Sequence, residues 1–376
     1  MSFKNAICIS FTVRIFVLIV GIGLVFFRCI KSVEVTVIGD PMVYAASMGQ
    51  VSTVSQLLKN GYSANVADDD GNSPLSFVVW NVDYHASREV LEILLGHQVH
   101  VRFRNRDGQT ALQQAVKITN QEMRMRTIGK LIKFGSDINA RDNRDYTLLE
   151  KNIETYDTIG TDMILDWWGK LILTETYEHA RKRAKEYDMR DVLVVLDKGP
   201  RRIKKDAHWN PGLIDKRTGL NDLHIAVING DVKLIDDILK RNVSVNIKSE
   251  DEYGMGPLHY AVLHYKLDVL RLLLEHKANV QSTDRSLNTP LHMVAWLDDI
   301  NMAKNMVDAL VKCGANINAR NKNGDTLLHM LIYNNNKDLI TYVNDKYRCD
   351  VSIKNNDRET PISLAQRLNR KNLLKV

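Results

Sequence analysis

The sequence predicts an all-α repeat solenoid of short helix-turn-helix units with β-hairpin arms, preceded by one N-terminal transmembrane helix. Three observations predict it. A turn-and-helix signature, clearest as Asn288-Thr289-Pro290-Leu291-His292, returns along the chain; a Gly-Ala turn such as Cys313-Gly314-Ala315-Asn316 closes a second helix; and one apolar run, Ala6 to Phe27, stands apart from both. Thr289 suits an N-cap, and Pro290 suits the first helical turn, where a missing N–H costs nothing. Leu291, Val294 and Ala295 then make an apolar face. Gly314 can take the left-handed conformation that ends the next helix, after which Ala315 to Asn318 read as a turn into an extended arm. Such a unit cannot bury both faces alone, so it must recur.

It does recur, and the recurrence resembles the ankyrin repeat, whose period is about 33 residues. Gly256-Pro257-Leu258-His259-Tyr260-Ala261 matches closely, and Thr326-Leu327-Leu328-His329 replaces Pro by Leu. Asn221-Asp222-Leu223-His224 and Thr360-Pro361-Ile362-Ser363 are variants, and weaker copies stand at Pro41-Met42-Val43, Ser73-Pro74-Leu75-Ser76, Thr110-Ala111-Leu112-Gln113 and Thr147-Leu148-Leu149. Between Leu148 and Asp222 lie about two periods, room for a degenerate unit with His179 in the proline slot and Asp191 to Gly199 as second helix. The reading is therefore about ten units, the last too short for a full second helix. The organisation expected is 1–30 membrane helix, 31–40 linker, 41–152 first block of repeats, 153–212 irregular segment with one degenerate repeat, and 213–376 second block.

A chain of 376 residues could hold several ordinary domains, but a repeat array lengthens without dividing its core. The net charge of +6 is modest, and nucleic acid is not expected as a partner. Four cysteines, Cys8, Cys29, Cys313 and Cys349, have no metal-ligand spacing and read as free thiols.

The run from Ala6 to Phe27 carries one charge, Arg14, and as a helix it would cross a hydrocarbon core. No small-x-small cleavage site follows it, since Phe26-Phe27-Arg28-Cys29 is bulky and basic, so an uncleaved single-pass anchor is expected. Lys4 and Arg14 before the run balance Arg28 and Lys31 after it, and orientation leans only slightly towards an array outside the cytoplasm.

The histidines His224, His259, His292 and His329 recur once per repeat, too far apart to share a metal ion. The resemblance implies that each hydrogen-bonds backbone in the adjoining turn. It also implies that the first helix of each unit faces a concave side and that partners are met there and at the hairpin tips. Carried over by position, the partner-binding candidates are Arg104, Arg106, Arg144, Glu250, Asp251, Tyr253, Arg285 and Lys322. To these the irregular segment adds Trp167 and Trp168, which either anchor a partner or cap the junction between two half-arrays. Loops around Asn81 to His85 and Lys117 to Gln121 lengthen one edge of the stack.

No Gly-rich phosphate loop, nucleophile elbow or metalloprotease motif occurs, so no catalytic residue, cofactor, metal or small-molecule substrate is expected. The function expected is a membrane-tethered array that binds a protein partner, as an inhibitor or immunity factor. Two alternatives stay open: an intracellular scaffold that recruits a cytosolic partner to the membrane, and an enzyme using the central irregular segment.

Overall fold

Ten consecutive units, stacked as two files of five, make up the described residues of the computed structural model, which are 40–82, 85–97, 99–200 and 210–374. The expected N-terminal membrane helix lies outside them. Within them no helix is long and apolar enough to cross a membrane. The first helices of units one to five run Pro41–Ser47, Pro74–Trp80, Ala111–Gln114, Leu148–Glu154 and Thr174–Glu186; those of units six to ten run Asp222–Asn229, Pro257–Leu263, Pro290–Met293, Leu327–Tyr333 and Pro361–Arg367. Most are short, opened by a side-chain cap and ended by a turn after at most about two turns; that of unit five runs for 13 residues with no side-chain cap. Asp40 accepts from the Met42 and Val43 N–H groups, Ser73 from Ser76, and Thr110 and Thr147 form capping boxes with Gln113 and Glu150.

Second helices, Val51–Lys59, His85–Gly96, Gln121–Lys133, Thr158–Trp168 and Arg190–Asp197 in the first half, lie behind the first. Their counterparts in the second half are Val232–Leu239, Leu267–Glu275, Ile300–Lys312 and Lys337–Tyr347, and unit ten has only the single turn Lys371–Leu373. Leu94, Leu131, Ile238, Leu273 and Leu310 are buried between neighbouring units, as the heptad-like spacing of the apolar face requires. The long loops of units two and three are held by an arginine from the helix that follows: Arg88 Nε donates to the Val82 carbonyl at 3.0 Å and Arg124 Nε to that of Ile118 at 2.9 Å.

The arms differ from the expected hairpin strands. Among the described residues the only β feature is an isolated bridge between Asp215 and Leu220. Each tip is instead a turn closed by an Asn or Asp side chain: Asn105 Oδ1 accepts from the Asp107 and Gln109 N–H groups, and Asp284 Oδ1 from those of Ser286 and Asn288. One backbone bond then stitches each tip to the next, Arg106 N to Asp70 O, Asn143 N to Asp107 O, Arg285 N to Tyr253 O and Lys322 N to Ser286 O. A single bond per unit is too little for a ladder, but repeated along the edge it fixes the spacing of the stack.

The file of units is folded in two. Unit six packs its first helix on the turn Gly169–Leu171, and from there units six to ten run back along units four to one. The contacts follow that antiparallel order. Lys170 pairs with Asp222 at 2.6 Å, Lys133 with Asp251 at 2.8 Å, the Arg102 guanidinium lies 4.2 Å over the Tyr265 ring, and Arg370 donates to the Gly61 carbonyl at 2.7 Å. Gly135 makes a close approach. Its φ is +103°, and a Cβ there would lie 2.5 Å from the Leu263 carbonyl oxygen, so only glycine lets the two half-arrays meet.

Candidate functional site

Histidine at the third position of a first helix does a two-sided job. In unit seven the Gly256 N–H donates to His259 Nδ1 at 3.1 Å, while Nε2 reaches the Asn288 carbonyl of the next unit at 3.0 Å. The other three repeat the pattern: His224 reaches Ile247 at 3.1 Å, His292 reaches Asp325 at 3.2 Å, and His329 reaches Glu359 at 3.1 Å. The ring must be neutral with its proton on Nε2 to accept on one side and donate on the other. Burial holds His224, His259 and His292 down at about 4, against the backbone carbonyls that favour the charged form. These residues join units and are closed to ligands.

First-helix positions one and four residues further on face the concave side. In the second half-array these are Met293 and Trp296 in unit eight and Met330 and Tyr333 in unit nine, and they line a cleft whose opposite wall comes from units one to three. The first half-array thus partly covers the concave face of the second. Two of the tip candidates serve that closure. Asp251 is held by Lys133, both nearly buried, and Tyr253 stacks edge-on against Phe134 with ring centroids 4.8 Å apart. Burial works to raise the Asp251 acid, but Lys133 and the Gly254 and Tyr253 N–H groups bring it below its ordinary value.

The corresponding positions of the first half-array are Tyr44 and Ser47, Phe77 and Trp80, Gln114 and Lys117, then Lys151 and Glu154. Tyr44 is exposed, and Phe77 packs edge-on against Trp80 at 4.9 Å. The Lys117 ammonium lies 4.1 Å over the Trp80 ring; burial first and then Lys151 hold its pKa below the usual value, with Asp107 opposing. Beyond it Arg183 lies 3.9 Å over the Tyr146 ring, with Arg144 and Lys151 on the same aromatic at 5.7 and 5.5 Å. The face therefore passes from aromatic at units one and two to cationic at units three to five.

The remaining candidates are dispersed. Arg106 and Arg144 are exposed at the rim of this face, whereas Arg104 is committed to the Gly108 and Arg141 carbonyls, both at 2.6 Å. Glu250 and Arg285 are exposed on the second half-array, and Lys322 stands on the cleft. Trp168 is buried against Gly129 of unit three and Trp167 is half-buried, so the pair packs where units three and four meet. Sequence reasoning missed Tyr44, Phe77, Trp80, Lys117 and Lys151. Their signal was present, since each sits at the same offset from its cap as Met293, Trp296, Met330 and Tyr333, but offset alone does not say which half of the file is left open.

Comparison with known proteins fits this geometry. The family model for ankyrin repeats (three copies) matches residues 223–309 and 299–376. An ankyrin repeat protein of Acanthamoeba polyphaga mimivirus is 25% identical over 268 residues, 67% of this chain and 32% of that protein. One of fowlpox virus (strain NVSL) is 31% identical over 135 residues, 36% of this chain and 30% of that protein. Inversin of Danio rerio is 32% identical over 84 residues, 22% of this chain and 8% of that protein. The chain spans under half the length of each of these relatives. Among the described residues no group of His, Cys, Asp and Glu could hold a metal ion. All-helical units, the capped Thr-Pro-Leu-His turns, the stitched tips and these likenesses lead to one conclusion: the chain carries ankyrin repeats, the kind of unit that generally serves protein–protein interaction as a non-enzymatic scaffold.

Proposed function

We propose that the chain binds a protein partner through the concave face of its first half-array, Tyr44, Phe77 and Trp80 taking apolar side chains and Lys117, Arg106 and Arg144 taking acidic ones. The observation that carries this reading is the contrast between the two faces: the second is partly filled by the chain itself, while the first presents Trp, Tyr and Arg, the residues in which binding hot spots are enriched. Its ordering cost was met on folding, which favours affinity.

The apolar run Ala6 to Phe27 supports a tether, with the array standing outside the cytoplasm, and a tethered array that occupies its partner acts as an inhibitor or immunity factor does. Co-purification with the full-length chain, read by mass spectrometry, tests the reading. The partner recovered should carry an acidic stretch beside apolar residues, and Trp80→Ala or Lys117→Glu should reduce its recovery at least tenfold. Recovery unchanged by both variants would remove this face from the footprint. Protease accessibility of the array in intact cells tests the orientation; protection there would place it on the cytoplasmic side.

A further inference from the structure

The cleft between the half-arrays has a volume of about 710 Å³, within the range of roughly 300–1,000 Å³ usual for small-ligand sites. Its wall is acidic and aromatic. Glu92 and Glu252 line it but are already paired with Lys130, and Lys59 and Lys322 are the cations of the lining. The remaining acids are Asp284, Asp325 and Asp357, set beside Trp296 and Tyr333.

Buried carboxylates elsewhere in the molecule have a cation: Asp142 has Lys151 at 2.8 Å, Asp222 has Lys170 at 2.6 Å and Asp251 has Lys133 at 2.8 Å. Those of the cleft do not. Asp284 accepts only from amides, the Ser286 and Asn288 N–H groups and Asn288 Nδ2. Asp325 is 7% exposed, and its Oδ1 accepts from Asn355 Nδ2 at 2.9 Å. No hydrogen bond or ion pair among the described residues reaches its other oxygen, Oδ2. Arg320, whose charge acts on Asp325, donates instead to the Gly324 carbonyl and Asn356 Oδ1. Burial, then Asp357 and Glu359, push the Asp325 acid up to about 6 against the pull of Arg320, as befits a carboxylate left without a counter-ion.

We propose that this cleft is a binding site for an organic cation, a guanidinium or ammonium group seated on the free carboxylate oxygen of Asp325 with its apolar stem along Met330, Tyr333 and Trp296. The aromatic faces favour such a cation as well as its stem. Two sources share this chemistry, an arginine or lysine side chain of a peptide and a free polyamine.

Isothermal titration of the full-length chain, kept in a non-ionic detergent, with N-acetylarginine amide, spermidine and neutral N-acetylglutamine amide tests the proposal. Saturable binding of at least one cation is expected, and none of the neutral amide. The tighter cation identifies the source, peptide side chain or polyamine. Asp325→Asn keeps an oxygen for Asn355 and should weaken binding at least tenfold with an unchanged melting temperature. Asp357→Asn, at the exposed rim, should weaken it about twofold and serves if the first variant fails to fold. No saturable binding of either cation, equal binding of the neutral amide, or parental affinity in both variants would overturn the proposal.

Discussion

The two half-arrays fill the same slot with different chemistry. Units six to nine place His224, His259, His292 and His329 there, while units one to four place Val43, Ser76, Gln113 and Glu150. Gln113 reproduces the histidine: its Oε1 accepts from the Thr110 N–H at 3.0 Å and its Nε2 donates to the Ala140 and Tyr146 carbonyls at 3.0 and 2.7 Å. Glu150 can only accept. It takes the Thr147 N–H at 2.8 Å, and the next unit answers with the His179 ring and the Arg183 guanidinium in place of a carbonyl. That explains why unit five departs from the pattern. His179, expected to open its first helix, lies inside the helix Thr174–Glu186 and faces the acid. One slot changed from donor to acceptor, and the neighbouring unit was recast to suit it.

Acid should break the comparison most strongly. A histidine titrating at about 4 in the fold and near 6.5 unfolded takes up its proton first in the unfolded chain. The stability it contributes is full above pH 6.5 and falls as pH drops towards 4, by about 1.4 kcal/mol per pH unit for each such residue. His264, held at about 3 by burial and by Arg102 and Lys266, adds to this, and His97 and His100 at the shared face shift in the same direction. Asp284 and Asp325, raised by burial, act with the opposite sign but are fewer. Thermal melts between pH 7 and 4.5, with hydrogen exchange read segment by segment, should show the second half-array loosening first.

A smaller loss is expected from Lys133→Met, which leaves Asp251 buried without its partner. About 3–5 kcal/mol should be lost in chemical denaturation, and small-angle scattering should show the half-arrays parting. Smaller again is His259→Leu, which orphans the Gly256 N–H and the Asn288 carbonyl at about 1–3 kcal/mol. His259→Gln should recover most of that loss, because Gln113 performs both bonds already. A failure of glutamine to rescue would sink the equivalence drawn between the two halves. The smallest effect concerns the tips. Leu287 sits at φ +59° where other tips have glycine, such as Gly108 and Gly324, so Leu287→Gly should raise stability by about 1 kcal/mol in equilibrium denaturation.

Much of this was legible in the residues. The phase of the repeat, the Thr and Pro caps, the Gly turns and the carbonyl-seeking histidines are local or nearest-neighbour features, and each leaves a periodic trace. The fold-back is not of that kind. It rests on single contacts between units far apart in sequence, Gly135 against the Leu263 carbonyl and Lys133 against Asp251, and nothing in a period of about 33 residues encodes them. Asp251 and Tyr253 were therefore legible as hairpin tips but not as parts of an internal seam, and the adjacent tryptophans Trp167 and Trp168 gave no sign that Trp168 packs on Gly129 of the preceding unit.

Unit ten meets unit one through Arg370 on the Gly61 carbonyl and Leu368 beside Gly61. An open solenoid tolerates gain or loss of modules at its ends, since each module answers only to its neighbours. Here the tally of modules in one arm must match that of the other, or the clasp closes on empty space. Duplication or deletion, the ordinary route by which such chains diversify, is thereby restricted to events that lengthen or shorten both arms together.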